Sequence, residues 1–163
     1  VPVAFVDTAG CGYQEQAGEE GTSLSNPEEG ALLFRHLRST LGESDFPFSI
    51  AIISPYRAQV EWLKQEALAF GLTEPGVVVN TIDSFQGQER DVVYLSLVRS
   101  NSEGDIGFLT DYRRMNVAMT RARKKLVIIG DSATLGADRF YERMLAYCEQ
   151  NGFYTSAWEW MPV

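Results

Sequence analysis

A chain of 163 residues, 45% apolar and 22% charged, has the composition of an ordinary globular protein and fits one domain with a sizeable core. Its net charge of −8 argues against binding nucleic acid through bulk positive charge, yet leaves room for contact with phosphates at a few points. No run of about eighteen apolar residues could cross a membrane. Cys11 and Cys148 lie far apart with no clustered His or Cys beside them, which excludes a disulfide framework and suits a reducing, cytoplasmic or nuclear setting.

In chain order, Val3 to Val6 reads as a buried strand leading into a loop around Gly10 and Gly12. Tyr13 to Ser25, with Glu15, Glu19 and Glu20, reads as a long exposed loop. Asn26-Pro27-Glu28-Glu29 is a helix start: Asn26 caps, Pro27 takes the first helical position, and the glutamates favour the positive helix end. Leu33, Leu37 and Leu41 mark the buried face of that helix, and His36 is expected at its surface. Phe48 to Ser54 is a second strand. Ser54-Pro55 signals another helix start, and Gln59 to Phe70 continues as helix with Val60, Leu63 and Ala67 inward, stopped by Gly71. Val77 to Thr81 is a third strand, Asp83 to Arg90 a polar turn around Gly87, and Val92 to Val98 a fourth strand, apolar almost throughout as when both faces are covered.

Thr110 to Lys125 (TDYRRMNVAMTRARKK) inverts the overall sign of charge, with six basic residues and no acid after Asp111. Its pattern predicts a helix capped by Thr110 or Asp111. Met115, Ala118, Met119 and Ala122 form one apolar stripe, and Arg113, Asn116, Thr120 and Arg123 a polar one. Arg114 and Arg121, seven apart, should project from one side. Leu126 to Gly130 is the fifth strand, Phe140 to Cys148 a last helix closed by Asn151-Gly152, and Phe153 to Trp158 an added edge strand.

Alternating strands and helices predict an α/β fold with a mostly parallel sheet and helices on both faces. Ligands of such sheets gather at the carboxyl ends of the strands. The polar stretches Ser54 to Arg57, Thr81 to Glu89, Arg99 to Asn101 and Asp131-Ser132 are expected to converge on that rim. No phosphate loop, dinucleotide fingerprint, zinc-protease or nucleophile-elbow motif is present. The chemistry on offer is a set of arginines without a phosphate loop and a glutamate in a glycine turn.

Three strings carry a family resemblance: SPYRAQ (Ser54 to Gln59), TIDSFQGQERD (Thr81 to Asp91) and RRMNVAMTRAR (Arg113 to Arg123). In order and spacing they resemble motifs IV, V and VI of superfamily 1 helicases, in the subgroup of the nonsense-mediated decay helicase, senataxin and the immunoglobulin mu-binding helicase. SNPEE before the first helix, VRSN after the fourth strand and GFL before motif VI extend the likeness over nearly the whole chain. Gln88 departs from it, standing where relatives often carry a basic residue.

The resemblance implies that residues 1–163 are the second, C-terminal RecA-like motor domain. The first, with the phosphate loop and the acidic Mg²⁺ motif, would precede Val1, and a start without Met agrees with that. ATP with Mg²⁺ would then sit between the two domains, held mainly by the first. Carried over residue by residue, Arg121 is the catalytic arginine finger and Glu89 the ribose contact. Gly87 lets backbone approach the nucleotide, and Arg123 and Arg114 support phosphate or motif V. Pro55, Tyr56, Thr81 and Ser84 are the candidates for gripping single-stranded DNA or RNA. The resemblance further implies 5′ to 3′ travel, with the N-terminal RecA-like domain of the same protein as partner and no membrane. The alternative is a catalytically silent RecA-like binding or scaffold module.

Overall fold

The computed structural model describes residues 1–18, 23–41, 48–72 and 76–161, with only the backbone of Leu41. The expected Glu19 and Glu20 of the early loop, and the inward face of Leu41, lie outside the described residues. The chain runs β1 (Val3–Asp7), β2 (Gln16–Ala17), β3 (Leu24–Ser25), α1 (Pro27–Leu41), β4 (Ile50–Ile53), α2 (Arg57–Ala69), β5 (Val77–Asn80) and a 3₁₀ turn (Ile82–Phe85). It continues with β6 (Arg90–Ser96), a second 3₁₀ turn (Gly107–Thr110), α3 (Tyr112–Met119), β7 (Ala122–Gly130), α4 (Ser132–Leu135), α5 (Arg139–Gln150), β8 (Tyr154–Ser156) and a last 3₁₀ turn (Ala157–Trp160).

Six of these strands form one sheet in the order β5-β4-β6-β7-β1-β8, and every pairing is parallel. Strand alternation sends neighbours to opposite faces. Ile50 and Ile52 face the core under α1 and α2, while Ala51 and Ile53 face the core under α3 and α5. Phe5 and Val6 divide in the same way. This two-sided burial is why β4, β6 and β7 read as continuous apolar runs. The edge strand expected near the C-terminus is present as β8, paired with β1.

The basic stretch departs from expectation. Helix α3 is capped by Asp111, whose carboxylate accepts from the Arg114 N–H, but it ends at Met119. Ala122 to Lys125 belong to β7, because the Arg90 N–H donates to the Arg121 carbonyl (2.9 Å) and residue 122 pairs with residue 90. Sheet pairing overrides the helical pattern there, so Arg114 and Arg121 do not share a helix face, and Ala122 is buried on a strand.

His36 is a second correction. It is buried, with Nδ1 2.7 Å from the Tyr94 hydroxyl, because α1 lies across the middle of the sheet. Burial, and then the charge of Lys125, lowers its pKa to about 4. The loop from Tyr13 is also less exposed than its polarity suggests. Tyr13 is buried, β2 and β3 pair as a short antiparallel ribbon, and Glu15 accepts from Arg99 Nε (3.0 Å), the Ser100 N–H (2.9 Å) and Asn101 Nδ2 (2.8 Å).

Candidate nucleotide and strand sites

The expected polar residues divide between the two ends of the sheet. Ser54 to Arg57, Thr81, Arg99 to Asn101 and Asp131-Ser132 follow strand ends and share the carboxyl rim. The turn from Gln86 to Glu89 does not. A connection between parallel strands must return to the amino ends, and Gly87 at φ +75° makes the reversal before β6. The convergence of all four stretches on one rim is therefore corrected: Gly87, Glu89, Arg121 and Arg123 gather at the amino ends of β6 and β7, away from Pro55 and Thr81.

At the amino end, Arg121 extends back along the turn. Its Nε donates to the Val117 carbonyl (3.0 Å), Nη1 to the Gln88 carbonyl (3.3 Å) and Nη2 to the Thr120 hydroxyl (3.1 Å). All three acceptors are neutral, and a guanidinium has further N–H donors to offer. Among the described residues some other arginines are neutralised, whereas Arg90 in the same turn, like Arg121, bonds only neutral acceptors. Arg123 pairs with Asp91 (3.1 Å), Arg114 with Asp83 (3.1 Å) and Arg99 with Glu15 (3.0 Å). Asp91 is held below the usual carboxylate range first by the Ser49 backbone N–H and also by Arg123, so that pair is a brace between β6, β7 and the residue before β4. Glu89 is exposed, and its carboxylate has no partner among the described residues. Arg90 turns instead to the Glu89 carbonyl (2.9 Å) and to Gln88 Oε1 (3.1 Å). A Cβ on Gly87 would meet nothing within 4 Å, so the turn presents bare backbone. The arrangement offers the guanidinium groups of Arg121 and Arg90 without carboxylate partners among the described residues, one free carboxylate and an open peptide.

At the carboxyl rim, Pro55, Arg57, Thr81, Phe108 and Arg114 line a cleft of about 290 Å³, with Asp83 on its wall. Arg114 thus lies with the strand candidates rather than with the Gly87 turn, and its pairing with Asp83 in the 3₁₀ turn braces motif V. Ser84 is exposed on that same turn. Tyr56 is 3% exposed, so it has no face to offer a base. Burial pushes its hydroxyl pKa up despite Arg99, and the oxygen accepts from Arg99 Nη1 (3.2 Å) and from the Phe108 N–H (3.3 Å). Arg57 belongs to the stretch Ser54 to Arg57 expected at this rim, whereas the sequence assigns no role to Phe108. The visible signal was the aromatic residue in GFL, directly before motif VI.

Below the rim lies a buried polar network. Asn26 Oδ1 caps α1, and Gln59 Nε2 donates to the Asn26 carbonyl (3.0 Å) and the Ser96 hydroxyl (3.1 Å). Glu29 Oε1 accepts from Ser96 Oγ (2.6 Å) and from the Val98 N–H (2.9 Å). Val98 holds φ +71°, a strained value for a β-branched residue. The helix-start string and motif IV are thereby pinned to the end of β6.

The AAA domain family matches residues 1–133. The chain is 37% identical over 161 residues to the DNA-binding protein SMUBP-2 of Mus musculus, covering 99% of this chain and 16% of that protein. It is 38% identical over 155 residues to the DNA polymerase alpha-associated DNA helicase A of Saccharomyces cerevisiae, covering 93% and 22%. The chain therefore spans less than a quarter of the length of these relatives. Among solved structures, the C-terminal domain of a possible DNA helicase from Lactobacillus plantarum superposes with a TM-score of 0.50 at 14% identity, over 96% of this chain and 84% of that one. That likeness extends to the fold.

Proposed function

This chain belongs to the AAA domain family, as the C-terminal motor domain of a superfamily 1 helicase, and from that premise we propose that the protein carrying it is an ATP-driven motor on single-stranded DNA or RNA. A first RecA-like domain would hold most of the nucleotide and its Mg²⁺. This domain closes on it with the Gly87 turn. Arg121 meets the charge that builds on the transferred γ-phosphoryl oxygens, Glu89 accepts hydrogen bonds from the ribose hydroxyls, and the Gly87 peptide lies against the nucleotide. Arg123 and Arg114 act as braces, through Asp91 and Asp83.

The observation that carries this reading is the state of Arg121. Its guanidinium is bound only by two carbonyls and a hydroxyl, beside a bare glycine turn, whereas Arg123 and Arg114 are spent on carboxylates. An unneutralised, positioned cation suits a γ-phosphate arriving from a facing domain. At the other rim, Pro55, Thr81 and Ser84 contact the strand through backbone and hydroxyl groups, which needs no net positive charge. Nucleotide-driven closure and reopening then alternates the grip between domains.

The test is Arg121→Ala in the full-length protein. The expected result is a fall in ATP turnover of about 10³ to 10⁵-fold with strand binding retained. Unchanged turnover would refute the role of Arg121.

A further inference from the structure

Phe108 is an exposed aromatic side chain that neither the core nor the nucleotide site uses. Its relative exposure is 58%, and the 3₁₀ turn that carries it joins α3 through Asp111. One face of its ring stacks on Tyr56, at a centroid distance of 5.3 Å and an interplanar angle of 26°. The stack is held from beneath. The Tyr56 hydroxyl accepts from the Phe108 N–H itself and from Arg99, and Arg99 is in turn fixed by Glu15 and Asp105. Gly107 keeps the turn tight: it sits at φ +47°, and a Cβ there would lie 2.0 Å from Arg99 Nη1. The ring is thus a fixed platform rather than a loose side chain.

Beyond the platform is the cleft lined by Pro55, Arg57, Thr81 and Arg114. Arg57 is exposed and has no carboxylate partner among the described residues, and the Thr81 hydroxyl is likewise unengaged. Arg114 is paired with Asp83 on the cleft wall, so among the described lining residues Arg57 carries the uncompensated charge. A ring face for a base and a cation with a hydroxyl for the flanking phosphate are the complementary parts of one nucleotide.

We propose that Phe108 stacks a base of the single strand crossing this rim, with Arg57 and Thr81 on the adjoining phosphate, and that α3 links this contact to Arg121. The helix spans eight residues, about 12 Å, with the strand platform before its first turn and Arg121 just after its last. A base seated on Phe108 steadies the segment whose far end positions the guanidinium. This inference rests on the motor reading for its second half, whereas the stacking contact stands independently of ATP chemistry.

The experiment compares Phe108→Ala, Phe108→Trp and Arg57→Ala in the full-length protein, using single-stranded DNA and RNA oligonucleotides that carry a fluorescent purine analogue. Phe108→Ala should weaken strand binding about 5- to 100-fold. It should abolish the quenching of the stacked analogue and leave the slope of log K against log salt unchanged. Phe108→Trp should retain affinity and quenching, and Arg57→Ala should reduce the salt slope by about one. Strand-stimulated ATP turnover should fall in Phe108→Ala. Because Phe108 is exposed, an unchanged melting temperature establishes that each variant is folded. Equal strand affinity in Phe108→Ala and parent overturns the proposal and leaves the ring for a protein partner. If Arg121→Ala hydrolyses ATP at the parent rate while Phe108→Ala loses strand affinity, the role of Arg121 fails and the stacking contact stands.

Discussion

Glu29 gives the folded chain a pH dependence whose size follows from its surroundings. The side chain is completely buried, Oε1 is bonded to Ser96 and Val98, and Oε2 has no partner among the described residues. Burial, against the opposing Ser96 and Val98 bonds, pushes its carboxyl from 4.5 up to about 7. At about 1.4 kcal/mol per pH unit, keeping it ionised costs the fold about 3 kcal/mol. Below about pH 4.5 both folded and unfolded chains hold the proton, and there is no penalty. Between 4.5 and 7 the folded chain holds a proton that the unfolded chain has released, so stability falls as pH rises, and above 7 the penalty is complete.

His36 slopes the other way. Its pKa is lowered from 6.5 to about 4, so between those values the unfolded chain binds the extra proton and stability rises with pH. The two contributions oppose each other across pH 4.5–6.5. Glu29→Gln keeps an acceptor for Ser96 and Val98 and places an unpaired amide where Oε2 was. That amide costs a pH-independent amount, on the order of 1–3 kcal/mol. Urea unfolding followed by tryptophan fluorescence at pH 4.5 and pH 8 should show the stability difference, variant minus parent, rising by about 3 kcal/mol in the variant's favour. Parallel curves for the two proteins would mean that Glu29 titrates normally and that the buried-carboxyl argument is wrong.

Other outcomes are separable from that one. Arg123→Ala breaks a half-exposed pair with Asp91, so only a small loss is expected in urea unfolding. ATP turnover in the same variant should fall far less than in Arg121→Ala, and an equal fall would move Arg123 onto the nucleotide. Gly30→Ala puts a Cβ 2.4 Å from the Trp62 ring at the α1–α2 contact, which should cost about 1–3 kcal/mol by overpacking, read in the same unfolding assay. Gly107→Ala forces a side chain into a left-handed turn against Arg99 and should lower the melting temperature while weakening strand binding together with it.

The sequence by itself determined the elements whose causes are local. Asn26-Pro27 starts α1, Asp111 caps α3 and Gly87 reverses the chain, because capping bonds and left-handed φ values are set by residues next to one another in the chain. Apolar runs foretold a sheet covered on both faces, and the motif strings marked which loops carry charge. The tertiary structure decided what depends on partners far along the chain. It ended α3 at Met119 because Ala122 has a neighbour in β6. It buried His36 against Tyr94 and Tyr56 beneath Phe108, and it separated Arg114 from Arg121 by drawing the latter onto a strand. Glu29 looked like a helix-end charge and became a buried acceptor, since the hydroxyl and the N–H it satisfies belong to residues 67 and 69 positions away. Spacing along a chain encodes the period of an element, whereas which cation remains unpaired is set only when all the carboxylates have been brought into place.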